Sequence, residues 1–143
     1  MLKKFFGTKS DREIKKLYPL VDDINQIFST LENKSDEDLI VRVAELRESV
    51  IQKRQSKKDE LPESMDKEER AKAILAAEQV QLNAIMPEAF AIVKETCRRM
   101  VGHSWRMLGN EVIWDMVPYD VQSVGALILH NGKVAEMKTG EGK

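Results

Sequence analysis

Apolar residues recur at steps of three and four from Ile14 to Val101, the spacing of one helix face. Four segments carry it. Ser10-x-x-Glu13 has the form of a capping box, which predicts a helix start at Ser10. Ile14, Leu17, Tyr18, Val21, Ile24, Phe28 and Leu31 then make one apolar face, and Pro19, lacking an N–H, predicts a kink or a restart. Ser35 predicts the cap of a second helix, with Asp36, Glu37 and Asp38 at the positive end of its dipole. Its Leu39, Val43, Leu46 and Val50 fit a two-helix hairpin or a seam for a partner helix. Ordinary intramolecular packing is the favoured reading, because the pattern covers barely two heptads. Residues 56 to 70 are mostly charged, contain Pro62 and read as an exposed linker. A third helix is expected from about 66 to 85, using Ala71, Ile74, Leu75, Val80 and Leu82. A fourth is expected to begin at Pro87, bury Phe90, Val93, Cys97, Met100 and Val101, and end in a left-handed cap at Gly102. Cys97, within that stripe, reads as a core residue and not a nucleophile.

After His103 the pattern changes. Trp105, Val112, Ile113 and Trp114 predict a short extended stretch, with a turn at Gly109-Asn110. Asp120 is placed to cap a fifth helix carrying Val121, Val124, Leu127 and Ile128, which Asn131-Gly132 ends. Val134 to Met137 reads as a short strand. The expected fold is therefore mainly α, with helices leading into the start of an α/β nucleotide-binding domain of the helicase-like, P-loop kind.

A chain of 143 residues fits one ordinary domain, and 33% charged with 42% apolar residues suits a soluble helical chain. A net charge of -1 excludes a globally basic nucleic-acid binder, and no nucleic acid is expected as a partner. The single cysteine fits a reducing compartment. No apolar run is long enough to span a bilayer. Two histidines and one cysteine make no spaced metal-ligand cluster, and no Gly-x-Ser-x-Gly elbow exists.

The chemistry is concentrated at the end. Ala135-Glu136-Met137-Lys138-Thr139-Gly140-Glu141-Gly142-Lys143 has the form of a phosphate-binding loop reaching its catalytic lysine, Lys143. Gly140 and Gly142 let backbone N–H groups approach phosphate oxygens, and Lys143 supplies a point charge for the β- and γ-phosphates. The usual pattern has glycine five residues before Gly142, where Met137 stands; several helicase-like motors tolerate that exchange. Just upstream, Pro118-Tyr119-Asp120-Val121-Gln122 offers an amide able to donate to and accept from an adenine edge, and a ring able to stack on it.

Asp120-Val121-Gln122, then Gly125, Leu129 and His130, then the nine terminal residues, resemble the SecA family of bacterial preprotein translocase ATPases. Pro87 to Val93 and Lys34 to Leu39 resemble it in the same order, as does the basic, Phe-containing start, so the resemblance covers the whole chain. Ser123 and Ala126 stand where the family usually has Leu and Gly. The resemblance implies that Gln122 contacts adenine and that Thr139, Gly140, Glu141, Gly142 and Lys143 cradle phosphate, with ATP and Mg²⁺ as cofactors in the full-length context. It implies a basic membrane-contacting segment at 1–16, a helical region at 10–102, and the start of the first nucleotide-binding domain at 103–143. It implies the SecYEG translocon, preprotein and anionic phospholipid as partners, a homodimer in the full-length form, and a cytoplasmic protein held peripherally at the bacterial inner membrane. The hydroxyl residue that would follow Lys143, the Mg²⁺-holding acidic motif and the second motor domain are not in this sequence. The expectation is therefore an inactive N-terminal fragment. A different helicase-like ATPase and a stand-alone helical interaction module are the alternatives.

Residues 1 to 16 carry Lys3, Lys4, Lys9, Arg12, Lys15 and Lys16 against Asp11 and Glu13, with Leu2, Phe5 and Phe6 among them. Such a segment is expected to bind anionic vesicles weakly and in a salt-sensitive way. Co-sedimentation should fall as salt rises, and fall again in a Phe5→Ala, Phe6→Ala variant. Equal binding to neutral vesicles would remove the electrostatic explanation.

Overall fold

The computed structural model describes residues 9–137 and Gly140. The elements are α1 (Lys9–Lys15), α2 (Tyr18–Thr30), α3 (Asp36–Glu60), α4 (Lys67–Met100), β1 (Ser104–Met107), β2 (Asn110–Ile113) and α5 (Asp120–His130). The chain divides into two compact units. Asn33–Ala89 forms one; the described residues up to Glu32, together with those from Phe90 onward, form the other.

The Asn33–Ala89 unit is a helical hairpin. Ser35 and Asp38 close a reciprocal capping box: Ser35 Oγ accepts from the Asp38 N–H (3.0 Å), and Asp38 accepts from the Ser35 N–H (3.1 Å). Those bonds hold the Asp38 carboxyl below its ordinary range. Cross-links then run in opposite order along the two helices: Arg42 to Glu88, Ser49 to Gln81, Arg54 to Glu78, and the Lys58 carbonyl to Arg70. The helices are therefore antiparallel, and Leu39, Leu46 and Met86 are the buried apolar residues of the unit. Val43, Leu75 and Val80, expected on buried faces, are exposed. Arg42 grips Glu88 through both carboxylate oxygens (2.6 and 2.8 Å), the fork geometry guanidinium favours, and lowers the Glu88 pKa.

Two expectations for this region need correction. The charged run is not a linker throughout, because α3 continues to Glu60, with side-chain bonds from Gln55 to Asp59 and from Ser56 and Lys57 to Glu60 along its surface. Only residues 61 to 66 connect the helices, and Asp66 caps α4 by accepting from the Glu68 and Glu69 N–H groups. Pro87 does not open a fourth helix; it lies inside α4. An internal proline costs about 3 kcal/mol through the lost bond and ring crowding. Buried Met86, Ala91 and Ile92 and the clamped Glu88 flank it, and their fixed positions outweigh that cost.

In the other unit the chain turns between Lys15 and Tyr18 through short bonds from the Lys16 N–H to the Glu13 carbonyl and the Leu17 N–H to the Ile14 carbonyl. Pro19 then falls in the first turn of α2, where its missing donor does no harm, so the restart expected there occurs. Ser10 is not a cap, since α1 has already begun at Lys9. Val21 and Ile24 of α2, Ala91 and Ile92 of α4, and Val124 and Leu127 of α5 form the core; Ile24 and Leu127 expose no surface. Burying a side chain of that size contributes roughly 1.5–3 kcal/mol. The buried side of α4 is thus Ala91, Ile92 and Glu95. Phe90, Val93 and Cys97 line a cleft instead, and Val93 and Val101 are exposed.

Glu95 is 1% exposed. Arg99 Nε donates to its Oε1 (2.7 Å), and Arg98 Nη2 stands 2.7 Å from its Oε2 as a charge contact without hydrogen-bond alignment. The same guanidiniums reach the end of α2: Arg99 donates to the Leu31 carbonyl (3.1 Å) and Arg98 pairs with Glu32 (3.4 Å).

Gly102, at a φ of 87°, ends α4 as expected. β1 and β2 form an antiparallel hairpin pairing Ser104 with Ile113 and Met107 with Asn110, and the Trp105 and Trp114 rings lie 6.2 Å apart. The turn is Leu108-Gly109, one residue earlier than expected, with both residues at positive φ (50° and 85°). That is the mirror-image turn which suits the strand twist. Asp120 is the first residue of α5 and not its cap, which is Tyr119. Val121 is exposed, while Ser123 and Gly125 are buried on the α5 core face. Val134 to Met137 is not a strand; no neighbouring strand among the described residues pairs with it, and Val134 is exposed.

Leu108 is 97% exposed and gains no packing for its left-handed backbone. Leu108→Asn is expected to stabilise the chain by about 1 kcal/mol, read as a raised denaturation midpoint. An unchanged midpoint would show that the turn stores no strain. For Glu95, burial pushes the carboxyl pKa up, but Arg98 and Arg99 outweigh it and the net shift is downward. A lowered folded value stabilises above the unfolded value of about 4.3, and the contribution is lost as pH falls through the folded one. Glu95→Gln should cost about 2–3 kcal/mol at neutral pH, discounted because both arginines are partly exposed, and should flatten the acid limb of a stability–pH profile. An unaltered acid limb would refute this assignment.

Candidate functional site

The site is built around the first turn of α5. Tyr119 is still extended and caps the helix, which begins at Asp120. Gln122 Oε1 accepts from the Tyr119 N–H (2.7 Å), so the amide closes its own helix end. The Tyr119 carbonyl takes the Gln122 and Ser123 N–H groups (3.0 and 3.1 Å). Asp120 turns away from its helix: Asn25 Nδ2 donates to Oδ1 (3.0 Å), and Lys94 Nζ reaches the same oxygen (3.3 Å). Those donors, Asn25 foremost, hold the Asp120 carboxyl below its usual range.

A cleft of about 570 Å³ opens beside this turn. Phe90, Val93 and Cys97 of α4, Trp114 and Met116 of the segment after the hairpin, Leu129 of α5, and Ala135 and Met137 make its apolar walls. Lys94, Gln122 and Ser123 are its polar residues. An apolar cleft with a few convergent polar groups is the usual form of a small-molecule site. Trp114 is fixed by donating its indole N–H to the Met116 carbonyl (2.7 Å). Cys97 is half-buried, and burial pushes its thiol pKa up, which leaves it a poor nucleophile.

The return of the chain beneath α5 depends on Gly125. A Cβ there would stand 3.2 Å from Met137 Sδ, closer than ordinary contact. Glycine in a helix costs about 1 kcal/mol relative to alanine, and here that residue admits the Met137 side chain. α5 ends as expected at Asn131-Gly132, with Gly132 at a φ of 69°.

Of the sequence-selected site residues, Gln122 lines this cleft, and Met137, which stands where the phosphate-loop pattern has glycine, lines it too. Gly140 is exposed at a φ of 94°, a conformation glycine adopts without strain. Thr139, Glu141, Gly142 and Lys143 lie outside the described residues, as do residues 1 to 8 of the basic start. Among the described residues no group of three or more His, Cys, Asp or Glu is placed to hold a metal ion, and no helix is long and apolar enough to cross a membrane. The sequence reading missed Asn25, Lys94, Trp114 and Met116. Asn25 and Lys94 act on partners 95 and 26 residues away in sequence, beyond the reach of any local pattern.

Comparison with known proteins gives one family. The family profile described as SecA DEAD-like domain matches residues 2–143. The protein translocase subunit SecA of Chlorobaculum tepidum is 42% identical over 161 residues, taking in all of this chain and 16% of that protein. That of Chloroherpeton thalassium is 43% identical over 99% of this chain and 15% of its own length. That of Salinibacter ruber is 37% identical over 99% of this chain and 15% of its own length. The chain thus spans about one-sixth of the length of the curated relatives it matches. No solved structure matches.

Proposed function

The chain belongs to the SecA family, and from that membership we propose that it supplies the leading part of an ATP-driven protein-translocation motor. The observation that carries the reading is the family match through residues 2–143, which includes both the Gln122 segment and the Gly-x-Gly-Lys end. In this reading residues 103–143 begin the first nucleotide-binding domain, 10–102 form the helical region before it, and 1–16 contact anionic phospholipid at the cytoplasmic face of the membrane. SecYEG and preprotein are the partners of the complete motor.

Gln122 reads the adenine edge. The bond from the Tyr119 N–H supports this role, because it fixes the amide plane at the mouth of the cleft. The apolar cleft beside Gln122 supports it too, since apolar walls with a few convergent polar groups are the usual form of a small-molecule site. Thr139, Gly140, Glu141 and Gly142 cradle phosphate through backbone N–H groups, and Lys143 places its ammonium against the β- and γ-oxygens. The positive φ of Gly140 fits such a cradle. ATP, when bound with Mg²⁺, supplies the phosphoryl group whose release drives the cycle; the described residues include no cluster to hold the metal, and its ligands belong to other parts of the motor.

The test is a chimera in which this segment replaces its counterpart in the Chlorobaculum tepidum relative. Lys143→Ala should lower ATP turnover by about a hundredfold or more, as loss of a transition-state charge contact does. Gln122→Ala should raise the KM for ATP with a smaller effect on kcat. Full turnover in Lys143→Ala would overturn the proposal.

A further inference from the structure

We infer that Asn25 and Lys94 are positioning residues for nucleobase recognition: they clamp Asp120, and through it set where the first turn of α5 presents Gln122. The inference rests on the adenine-reading role proposed for Gln122.

Three helices meet at one carboxylate. Asn25 of α2 donates to Asp120 Oδ1 at 3.0 Å, Lys94 of α4 donates to Asn25 Oδ1 at 2.7 Å, and Lys94 also reaches Asp120 Oδ1 at 3.3 Å. The arrangement is a closed triangle. Asn25 donates with one end of its amide and accepts with the other, so the flipped amide would break both of its bonds. Lys94 lies 5.2 Å from the centre of the Phe28 ring, a cation–π contact that fixes it from a further side. Its side chain is only 11% exposed. An ammonium is costly to withdraw from water unless its partners are fixed, and here each partner sits on a different helix.

The clamp falls where α5 cannot position itself. Asp120 occupies the first helical position, yet its carboxylate bonds to other helices and not to a free N–H of its own. Within the helix start the Tyr119 N–H donates to Gln122 and the Ser123 hydroxyl donates to the Tyr119 carbonyl (3.5 Å), bonds that fix these side chains relative to the backbone but not the backbone relative to the cleft. The triangle provides that second constraint. Gln122 is two residues from Asp120 in the same turn, and Lys94 lines the same cleft as Gln122. A displacement of about 1 Å can cost as much as a hundredfold where a group must meet its target in register.

The experiment uses the same chimera and compares kcat/KM for ATP with that for GTP, which presents a different base edge to the amide. Gln122→Ala sets the size of the discrimination owed to the amide. Lys94→Met keeps the stem and removes the charge, and Asn25→Ala removes the bridging amide. Each should lower the ATP-to-GTP ratio by about fivefold while kcat at saturating ATP stays within about twofold, and Lys94→Arg should restore part of the ratio. A variant with lost far-UV helical signal is set aside, and Asp120→Ala replaces it with the same expected loss. If Gln122→Ala lowers the ratio and the clamp variants lower only kcat, equally for both nucleotides, the clamp is merely structural and the inference falls while the adenine reading stands. If Gln122→Ala leaves the ratio unchanged, the adenine reading falls and takes this inference with it.

Discussion

A carboxylate with almost no exposed surface holds together a unit made from two separated stretches of chain. Glu95 lies in α4, and the two arginines that neutralise it sit three and four residues later on the same helix. Alone that would be a local arrangement worth little. The arginines also end on Leu31 and Glu32, at the close of α2. The charge is neutralised within α4, and the same two guanidiniums tie that neutralised group to the chain before residue 33. Burial of Ile24, Ile92 and Leu127 provides most of the energy, but apolar burial is non-directional. The ionic contacts are directional, so they define how far along α4 the end of α2 must lie.

The same logic recurs at lower cost one residue earlier in α4, at Lys94. There the charged group is an ammonium, the acceptors are an amide and a carboxylate, and Phe28 lies between the two ionic clusters: Lys94 stands over its ring at 5.2 Å and Arg98 at 5.1 Å. One aromatic face therefore touches a cation from each cluster. The helix that presents Gln122 is fixed by polar contacts at its start and by Val124 and Leu127 further along, a division that separates where the helix points from how tightly it is held.

Much of this was legible in the sequence wherever the cause is local. The Ser35 cap, the restart at Pro19, the left-handed Gly102 and the hairpin flanked by two tryptophans all follow from residues within a few positions of one another. The α2 face was legible too, because Val21 and Ile24 are buried at the spacing that named them. Reasoning failed where distant contacts decide. Pro87 reads as a boundary until buried residues and a clamped Glu88 flank it. The charged run after Ser56 reads as linker until its own side-chain bonds extend α3. Val134 to Met137 has strand composition, but a strand also needs a neighbour, and composition does not supply one. For the site, Gln122 and the glycine loop were named from the family resemblance, and the profile match shows the family. Asn25 and Lys94 carried no signal, since an asparagine after Ile24 and a lysine after Val93 look like ordinary surface positions.

The contact between Gly125 and Met137 has a consequence for how such sequences drift. The two positions share one small volume: a Cβ at 125 would come within 3.2 Å of the sulfur. A flexible thioether can yield a few tenths of an ångström, so alanine at 125 is within reach, but a branched side chain is not. Enlarging 125 therefore has to be preceded or matched by shrinking 137, three residues before Gly140. The residue leading into the glycine loop is consequently not free to vary on its own account. Its size is negotiated with a helix position that has no side chain, and beyond alanine at 125 the two should change as a pair.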